Sequence, residues 1–196
     1  MMEDLIRSDR APSELGGRFG LASNLLAHHL GVLEEAGLVH RTASEGDRRR
    51  RYVHADLAAA ASVGLGRRVA AEPVVFVCTH NSARSQMAAA LWERSTGVSA
   101  ASAGTHPADE VRSGAIEAAF REGLDLTDAA PRPLEEADLA GRRVITVCDR
   151  AHEELETGPD WWHWSIPDPV TADTARAYDG ALGLIARRID TITGGA

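Results

Sequence analysis

The sequence predicts an α/β protein: a four-stranded parallel sheet with flanking helices in the last two thirds, preceded by a small helical module that ends in a β-hairpin. Three observations predict it. From residue 73 onward, short apolar runs alternate with amphipathic ones, the pattern of strands joined by crossover helices. Residues 12–54 follow another order, two helical runs and then two strand-like runs around a polar turn. Charge divides the same way: residues 1–70 carry 10 Arg against 9 acids, net +1, while residues 71–196 carry 11 Arg against 20 acids, net −9.

Size and composition permit two modules. A chain of 196 residues with 44% hydrophobic residues has the apolar material for packed cores. All 21 basic residues are Arg, which reads first as compositional bias. No run approaches the roughly 20 apolar residues of a membrane helix, and the acidic start Met1-Met2-Glu3-Asp4 lacks the basic region of a signal peptide. A cytoplasmic protein with no membrane partner is expected. Two cysteines, Cys78 and Cys148, are too few for a disulfide scaffold.

In chain order, residues 12–20 read as a short helix ending at glycine and residues 21–36 as a longer one. Leu25, Leu26, His29, Leu30, Leu33 and Ala36 repeat at helical spacing, so this stripe is expected to bury. Ser23, Asn24, Ala27 and His28 then lie nearer the open side. Residues 38–42 and 49–54 make a hairpin around Ser44-Glu45-Gly46-Asp47, with Arg48, Arg49, Arg50 and Arg51 on its arm. The first module is placed at residues 1–56. An Ala- and Gly-rich stretch follows, a short helix and then a linker over residues 57–72, closed by Pro73.

The second module is placed at residues 73–196. Val74-Val75-Phe76-Val77-Cys78 reads as a strand buried on both faces, followed by a polar loop and a helix from Gln86. Further strands are expected at 98–103, 143–148 and 163–166, and helices at 111–122 and 172–192. Ligands of such sheets sit at the carboxyl ends of strands. Cys78, Cys148 and Asp168 all fall there, so one crevice is expected to hold them.

Cys78, five residues, then Arg84 and Ser85 opening a helix arranges successive backbone N–H groups around one point, and that point binds anions. The loop residues are Thr79, His80, Asn81, Ser82 and Ala83. The helix N-terminus contributes positive potential, and the planar fork of Arg84 suits a phosphate or arsenate oxyanion. The same field favours the thiolate form of Cys78.

Four blocks carry a resemblance: residues 75–88, Ser102-Ala103-Gly104-Thr105, residues 147–151 beginning Val147-Cys148-Asp149, and residues 163–169 ending Pro167-Asp168-Pro169. Over about residues 73–192 the chain resembles the low-molecular-weight phosphatase superfamily, particularly its arsenate reductase branch. That resemblance implies Cys78 as nucleophile, Arg84 as oxyanion clamp, Asn81 as loop brace, Ser85 as a hydroxyl supporting the thiolate and Asp168 as general acid. An Asp before Pro169 also suits a turn or helix cap.

Phosphatase and reductase share the first chemical step. Aryl phosphatases of this superfamily follow the Asp-Pro pair with tyrosines, where this chain has Val170-Thr171, although Trp161 or Trp162 remains available as an aromatic wall. Thioredoxin-coupled reductases carry two resolving cysteines. Cys148 occupies the first position, and Leu155 stands at the second. Arsenate reduction resolved by an external thiol is therefore favoured: mycothiol or glutathione with a glutaredoxin-like partner. Direct resolution by Cys148, with thioredoxin as reductant, is the alternative, and so is a Cys148 that only packs. The rival enzyme is a protein tyrosine phosphatase or small-phosphoester phosphatase. No bound cofactor is implied.

Residues 26–39, Leu-Ala-His-His-Leu-Gly-Val-Leu-Glu-Glu-Ala-Gly-Leu-Val, resemble the arsenic-responsive winged-helix repressors. This implies a winged helix-turn-helix that reads operator DNA, with Ser23, Asn24 and His28 on the groove-facing helix and Arg48 to Arg51 touching phosphate. It also opens a homodimer, and a third reading: an oxyanion-sensing DNA-binding regulator without turnover. The first helix of those repressors is mostly missing before Pro12. Residues 1–77 contain no cysteine, which excludes a thiolate arsenite site in this half. His28 and His29 are adjacent and diverge on a helix, so with His40 and His54 they predict no metal site.

Overall fold

Two apolar cores organise the chain, a computed structural model that describes residues 1–66, 68–155, 157–158 and 160–194. Arg67, in the expected linker, and Glu156, Pro159, Gly195 and Ala196, in the expected second module, lie outside the described residues. The first core gathers Leu5, Ile6, Leu15, Leu26, Leu30 and Val53, among others. It is enclosed by α1 (Met2–Arg7), α2 (Pro12–Phe19), α3 (Ser23–Glu35), the antiparallel pair β1 (Val39–Ala43) and β2 (Arg51–Ala55), and α4 (Leu57–Ser62).

Local chemistry sets these limits. Pro12 opens α2, where a missing N–H costs nothing, and Glu14 accepts the Ala11 N–H at 2.8 Å. Gly20, at φ 62°, ends it. On α3 the expected stripe narrows: Leu26 and Leu30 are buried and Leu33 is half-buried, but Leu25, His29 and Ala36 are exposed. The side of α3 that carries Leu26 and Leu30 packs against α2 and β1.

The second core is built on β3 (Val74–Cys78), whose five residues are all buried. Around it run α5 (Arg84–Thr96), β4 (Ala100–Gly104), α6 (Ser113–Arg121), α7 (Glu136–Leu139), β5 (Arg143–Thr146), α8 (Asp149–Glu154), β6 (Trp162–His163), α9 (Pro169–Ala172) and α10 (Ala175–Thr193). The four strands form one parallel sheet in the order β4-β3-β5-β6. β3 is central because it can bury both faces. α10 packs along α5 and α6.

Where the structure departs from expectation, local reasons are visible. The strand expected at 143–148 ends at Thr146, since Cys148 turns to accept the Ala151 N–H at 3.4 Å and cap α8. The strand expected at 163–166 has only two residues, because the segment at Ser8 and Asp9 takes over beside it. Asp9 donates its N–H to the His163 carbonyl at 2.7 Å and accepts the Ser165 N–H at 2.8 Å. An exposed sheet edge is thereby covered. The short helices α7, α8 and α9, of 4, 6 and 4 residues, were not expected, being too brief to show a helical period.

The two cores meet across a polar seam. Arg188 of α10, buried, donates Nη1 to the carbonyls of Leu5 and Ile6 at 3.1 and 3.0 Å, and Nη2 to Asp9 at 2.6 Å. Trp164 Nε1 donates to the Arg7 carbonyl at 2.9 Å. Burial alone would push the Asp9 carboxyl up, yet Arg188 and His54 hold it well below the usual carboxylate range.

Candidate active site

The loop from Cys78 to Arg84 is shaped from behind. Thr105, His106 and Ala108, just after β4, donate their N–H groups to the carbonyls of Cys78, Thr79 and His80 at 3.1, 2.8 and 2.9 Å. The Arg112 N–H takes the Ser82 carbonyl at 2.9 Å. Because each peptide is a trans plane, carbonyls held on one side turn the following N–H groups to the other. The Asn81 N–H accordingly points at Cys78 Sγ, 3.1 Å away. Asn81 adopts φ 49°, a left-handed turn that asparagine tolerates better than most residues.

Gly104 makes this closeness permissible. A Cβ there would lie 2.8 Å from the Thr79 carbonyl oxygen and 3.0 Å from Asn81 Cβ, so the Ser-Ala-Gly-Thr block abuts the Cys78–Arg84 loop. Asn81 is the brace: Oδ1 accepts from the Arg132 N–H at 2.9 Å and from Gln86 Nε2 at 3.2 Å, while Nδ2 donates to Ser85 Oγ at 2.8 Å. Ser85 Oγ, thus engaged as an acceptor, lies 3.1 Å from Cys78 Sγ with its own proton free to point there. Cys78 is buried, only 3% exposed.

Arg84 leaves the N-terminus of α5 and is almost enclosed. Nη1 donates to the Ile166 carbonyl at 3.0 Å, and Nη2 lies 3.0 Å from Asp168 Oδ2. Asp168 also accepts the Val170 N–H at 3.1 Å, so the expected cap, on α9, and a place beside Arg84 fall to one side chain. A cleft of about 370 Å³ opens over Cys78 and Arg84, walled by Arg112, Asp168, Val170 and Thr171. Among the described residues no Phe, Tyr or Trp lines it, His80 being its one ring; Trp161 and Trp162 lie elsewhere, with Arg143 stacked 5.0 Å from the Trp162 ring.

A smaller hollow of about 180 Å³ adjoins on the other side of Arg84, lined by Cys148, Thr79, Asp149 and Asp168 among others. Thr79 Oγ1 lies 3.3 Å from Cys148 Sγ. Burial pushes the Cys148 thiol above its ordinary value, against the pull of Arg84, and the neighbouring Cys78 adds to the rise. Cys148 is therefore held as a neutral thiol facing the site.

Cys78, Asn81, Arg84, Ser85, Cys148 and Asp168 thus converge. His80 is exposed, its Nδ1 3.0 Å from the His106 carbonyl oxygen. Ser23, Asn24, His28 and Arg48 to Arg51 are exposed on α3 and the hairpin and line neither hollow. Sequence reasoning missed Arg112 and, above all, Glu45. The hairpin tip carries the Glu45 carboxylate to 3.5 Å from Arg84 Nη1, where it also accepts the Asp168 N–H at 3.0 Å. Nothing local in a polar turn signals such a destination. Among the described residues no cluster of three or more His, Cys, Asp or Glu side chains is arranged to hold a metal, and no helix is long and apolar enough to cross a membrane.

Fold and site define a class: an enzyme of the low-molecular-weight phosphatase superfamily, phosphatase- or reductase-like, built around a buried cysteine. The profile of the low molecular weight phosphotyrosine protein phosphatase family matches residues 73–192, and the chain belongs to that family. It is similar to Arsenate reductase 1 of Bacillus cereus, 35% identical over 107 residues, which cover 50% of this chain and 76% of that protein. Among solved structures it is similar to an arsenate reductase from Archaeoglobus fulgidus, 30% identical with TM-score 0.52, covering 62% of this chain and 98% of that one. A YwlE mutant from Bacillus subtilis, 20% identical with TM-score 0.55, covers 63% and 97% and shares the fold.

Proposed function

We propose that the protein reduces arsenate to arsenite. The observation that carries this reading is the cleft over Cys78 and Arg84, which among the described residues has no Phe, Tyr or Trp in its wall yet adjoins a second thiol at Cys148. Such a cleft suits a small inorganic oxyanion better than a phosphotyrosine ring, and the similarity to named arsenate reductases points the same way.

The chemistry runs in two stages. The Cys78 thiolate, supported by the Ser85 hydroxyl and the Asn81 N–H, attacks arsenic while Arg84 and the loop amides hold the oxygens. One As–O bond breaks as the S–As bond forms, and Asp168 in its acid form protonates the departing oxygen as water. A second thiolate then attacks Cys78 sulfur. The S–As electron pair stays with arsenic, which leaves as arsenite, and a disulfide remains for a reductant to open.

For the second thiol we favour an external one, mycothiol or glutathione with a glutaredoxin-like partner. Leu155, where a second resolving cysteine would stand, packs against the core, so no internal relay continues beyond Cys148. A second reading, resolution by Cys148 with thioredoxin as reductant, is favoured by its place beside Arg84. The front module is proposed as a winged helix-turn-helix that touches operator DNA through Ser23, Asn24, His28 and Arg48 to Arg51, all of them exposed.

The test compares arsenate reduction with aryl phosphate hydrolysis in one preparation under several thiol donors, with Cys78→Ser alongside. Thiol-dependent arsenite release that vanishes in Cys78→Ser supports the proposal. Fast aryl phosphate turnover without arsenite makes the protein a phosphatase. Neither activity, together with operator binding that shifts with arsenate, makes it a sensor.

A further inference from the structure

The hairpin of the front module is part of the active-site wall. Its tip is tied down at several points: Ser44 Oγ donates to Glu153 at 2.7 Å, the Asp47 N–H donates to Glu153 at 2.7 Å, and the Glu45 N–H donates to Asp149 at 2.8 Å. Tyr52 OH, on β2, donates to Glu153 as well, at 3.2 Å. Gly46 presses on α8 so closely that a Cβ would meet the Glu153 carboxylate, and the Arg150 Cα at 3.2 Å. Glu45 is therefore a resident carboxylate and not a passing one.

Its position matters for charge. Arg84 is the guanidinium that the oxyanion reading assigns to the substrate, and Asp168 already lies 3.0 Å from one of its nitrogens. Glu45, 3.5 Å from the other, is a second negative charge on the same cation. Where Asp168 carries the proton it is to donate, Glu45 is the carboxylate that remains, and an incoming anion meets an arginine already paired with it. The cost of that encounter grows with the charge the anion brings.

We propose that Glu45 sets the charge selectivity of the oxyanion site: fixed beside Arg84, its carboxylate weakens the binding of doubly charged tetrahedral anions more than that of singly charged ones. This rests on Cys78 and Arg84 forming the oxyanion site. It makes the front hairpin a contributor to substrate choice, and it names the singly charged oxyanion, for arsenate the doubly protonated form, as the preferred one.

The surroundings agree. Arg84 and Asp168 face Glu45 from the cleft; Asp149, Arg150 and Glu153 of α8 lie beside the tip; Asp9, Arg187 and Arg188 line the hollow behind it. Burial raises the Glu45 carboxyl above its ordinary value, with Asp149 and Asp168 adding to the rise against the Asp168 N–H and Arg84. Mild acid therefore removes its charge earlier than that of an ordinary glutamate.

The experiment measures binding of sulfate, a tetrahedral dianion at any working pH, and of perrhenate, a tetrahedral monoanion, to the full chain and to Glu45→Gln. The glutamine keeps an oxygen to accept the Asp168 N–H, so charge alone changes. At about pH 7.5, Glu45→Gln should bind sulfate about two- to five-fold more tightly, the range fitting a half-exposed ion pair, and perrhenate with a smaller gain. The sulfate gap should narrow as the pH is lowered, because the raised Glu45 carboxyl takes up its proton before an ordinary glutamate does. Equal sulfate affinity in both proteins, or equal gains for both anions, would overturn the proposal and leave the oxyanion site standing. Sulfate bound by neither protein, or bound no more weakly by Arg84→Ala, would remove the oxyanion site itself and the proposal with it.

Discussion

Arg188 Nη2 donates to Asp9 Oδ1 at 2.6 Å, joining the last helix to the segment between α1 and α2 across 179 positions of sequence. Both groups are buried, and each is the other's counter-charge. Arg188→Met should therefore leave the Asp9 carboxylate without its guanidinium and cost about 3 to 5 kcal/mol. Asp9→Asn should cost less, about 1 to 3 kcal/mol, because Arg188 keeps the carbonyls of Leu5 and Ile6 as acceptors. Urea unfolding followed by circular dichroism ranks the two, and the reverse order would contradict this account of the seam.

The same seam makes stability depend on acid. Burial pushes the carboxyls of Asp9, Glu14 and Asp149 up, but Arg188 for Asp9, the His152 bond for Glu14 and the His163 bond for Asp149 outweigh it and hold all three low. Each folded-state value lies below the unfolded one, so the unfolded chain binds more protons as pH falls. Their contribution is complete above the unfolded values, at about pH 4, and is lost progressively below it. His163, kept neutral chiefly by burial, also has a lowered value, so below about pH 6.5 the unfolded chain again gains protons first. Tm should fall as pH drops from about 6.5 to 3, and Asp9→Asn should flatten the part below about pH 4. A Tm that rose on acidification would refute both signs.

What could be read from the chain beforehand follows a physical line. The run from Val74 to Cys78 is apolar throughout, so its double-sided burial was legible, and so was a polar loop leading from Cys78 into a helix. The hairpin was legible too, since its register, Thr42 opposite Tyr52, needs only local pairing. Its destination was not. Glu45 reaches Arg84 only because Glu153 and Asp149 anchor the tip, contacts more than 100 positions apart. Likewise the cap that Cys148 makes on α8 was not legible, since α8 is too short to show a period, whereas the Asp168 cap on α9 was legible from Pro169 beside it.

Gly104 tests how tightly the anion loop is packed. Gly104→Ala would bring a methyl within 2.8 Å of the Thr79 oxygen, a backbone atom that cannot swing away. The loop must shift, and with it the Asn81 N–H that faces Cys78. We expect a stability loss of about 1 to 3 kcal/mol and a larger functional effect, about 100-fold in kcat/KM, as small displacements at a reacting centre produce. Full activity in Gly104→Ala would mean the loop has slack that the distances deny.

Asp168→Asn separates the cap from the acid. Asparagine can still accept the Val170 N–H, so α9 should survive, but it cannot deliver a proton to the departing oxygen. Turnover with arsenate should fall about 100- to 10,000-fold, the range typical of a lost general acid, with thermal stability close to wild type. Activity retained in a well-folded Asp168→Asn protein would assign the proton to another group, with Glu45 the nearest carboxyl on Arg84.

Cys148 decides between the two ways of closing the cycle, and its surroundings allow a clean substitution. Cys148→Ser keeps an atom that can accept the Ala151 N–H and meet Thr79 Oγ1, so α8 and the loop should remain in place. Held neutral by burial, the Cys148 thiol is a poor nucleophile at rest. Arsenate reduction driven by mycothiol or glutathione should thus stay near wild type in Cys148→Ser, and mass spectrometry of the trapped intermediate should find the small thiol on Cys78. A collapse of turnover in Cys148→Ser, with a Cys78–Cys148 disulfide in the wild-type protein after one round, would instead make this buried thiol the resolving group. In that case consumption of the Cys78 thiolate by arsenic removes one of the charges that raise Cys148, while Arg84 remains to draw its proton away.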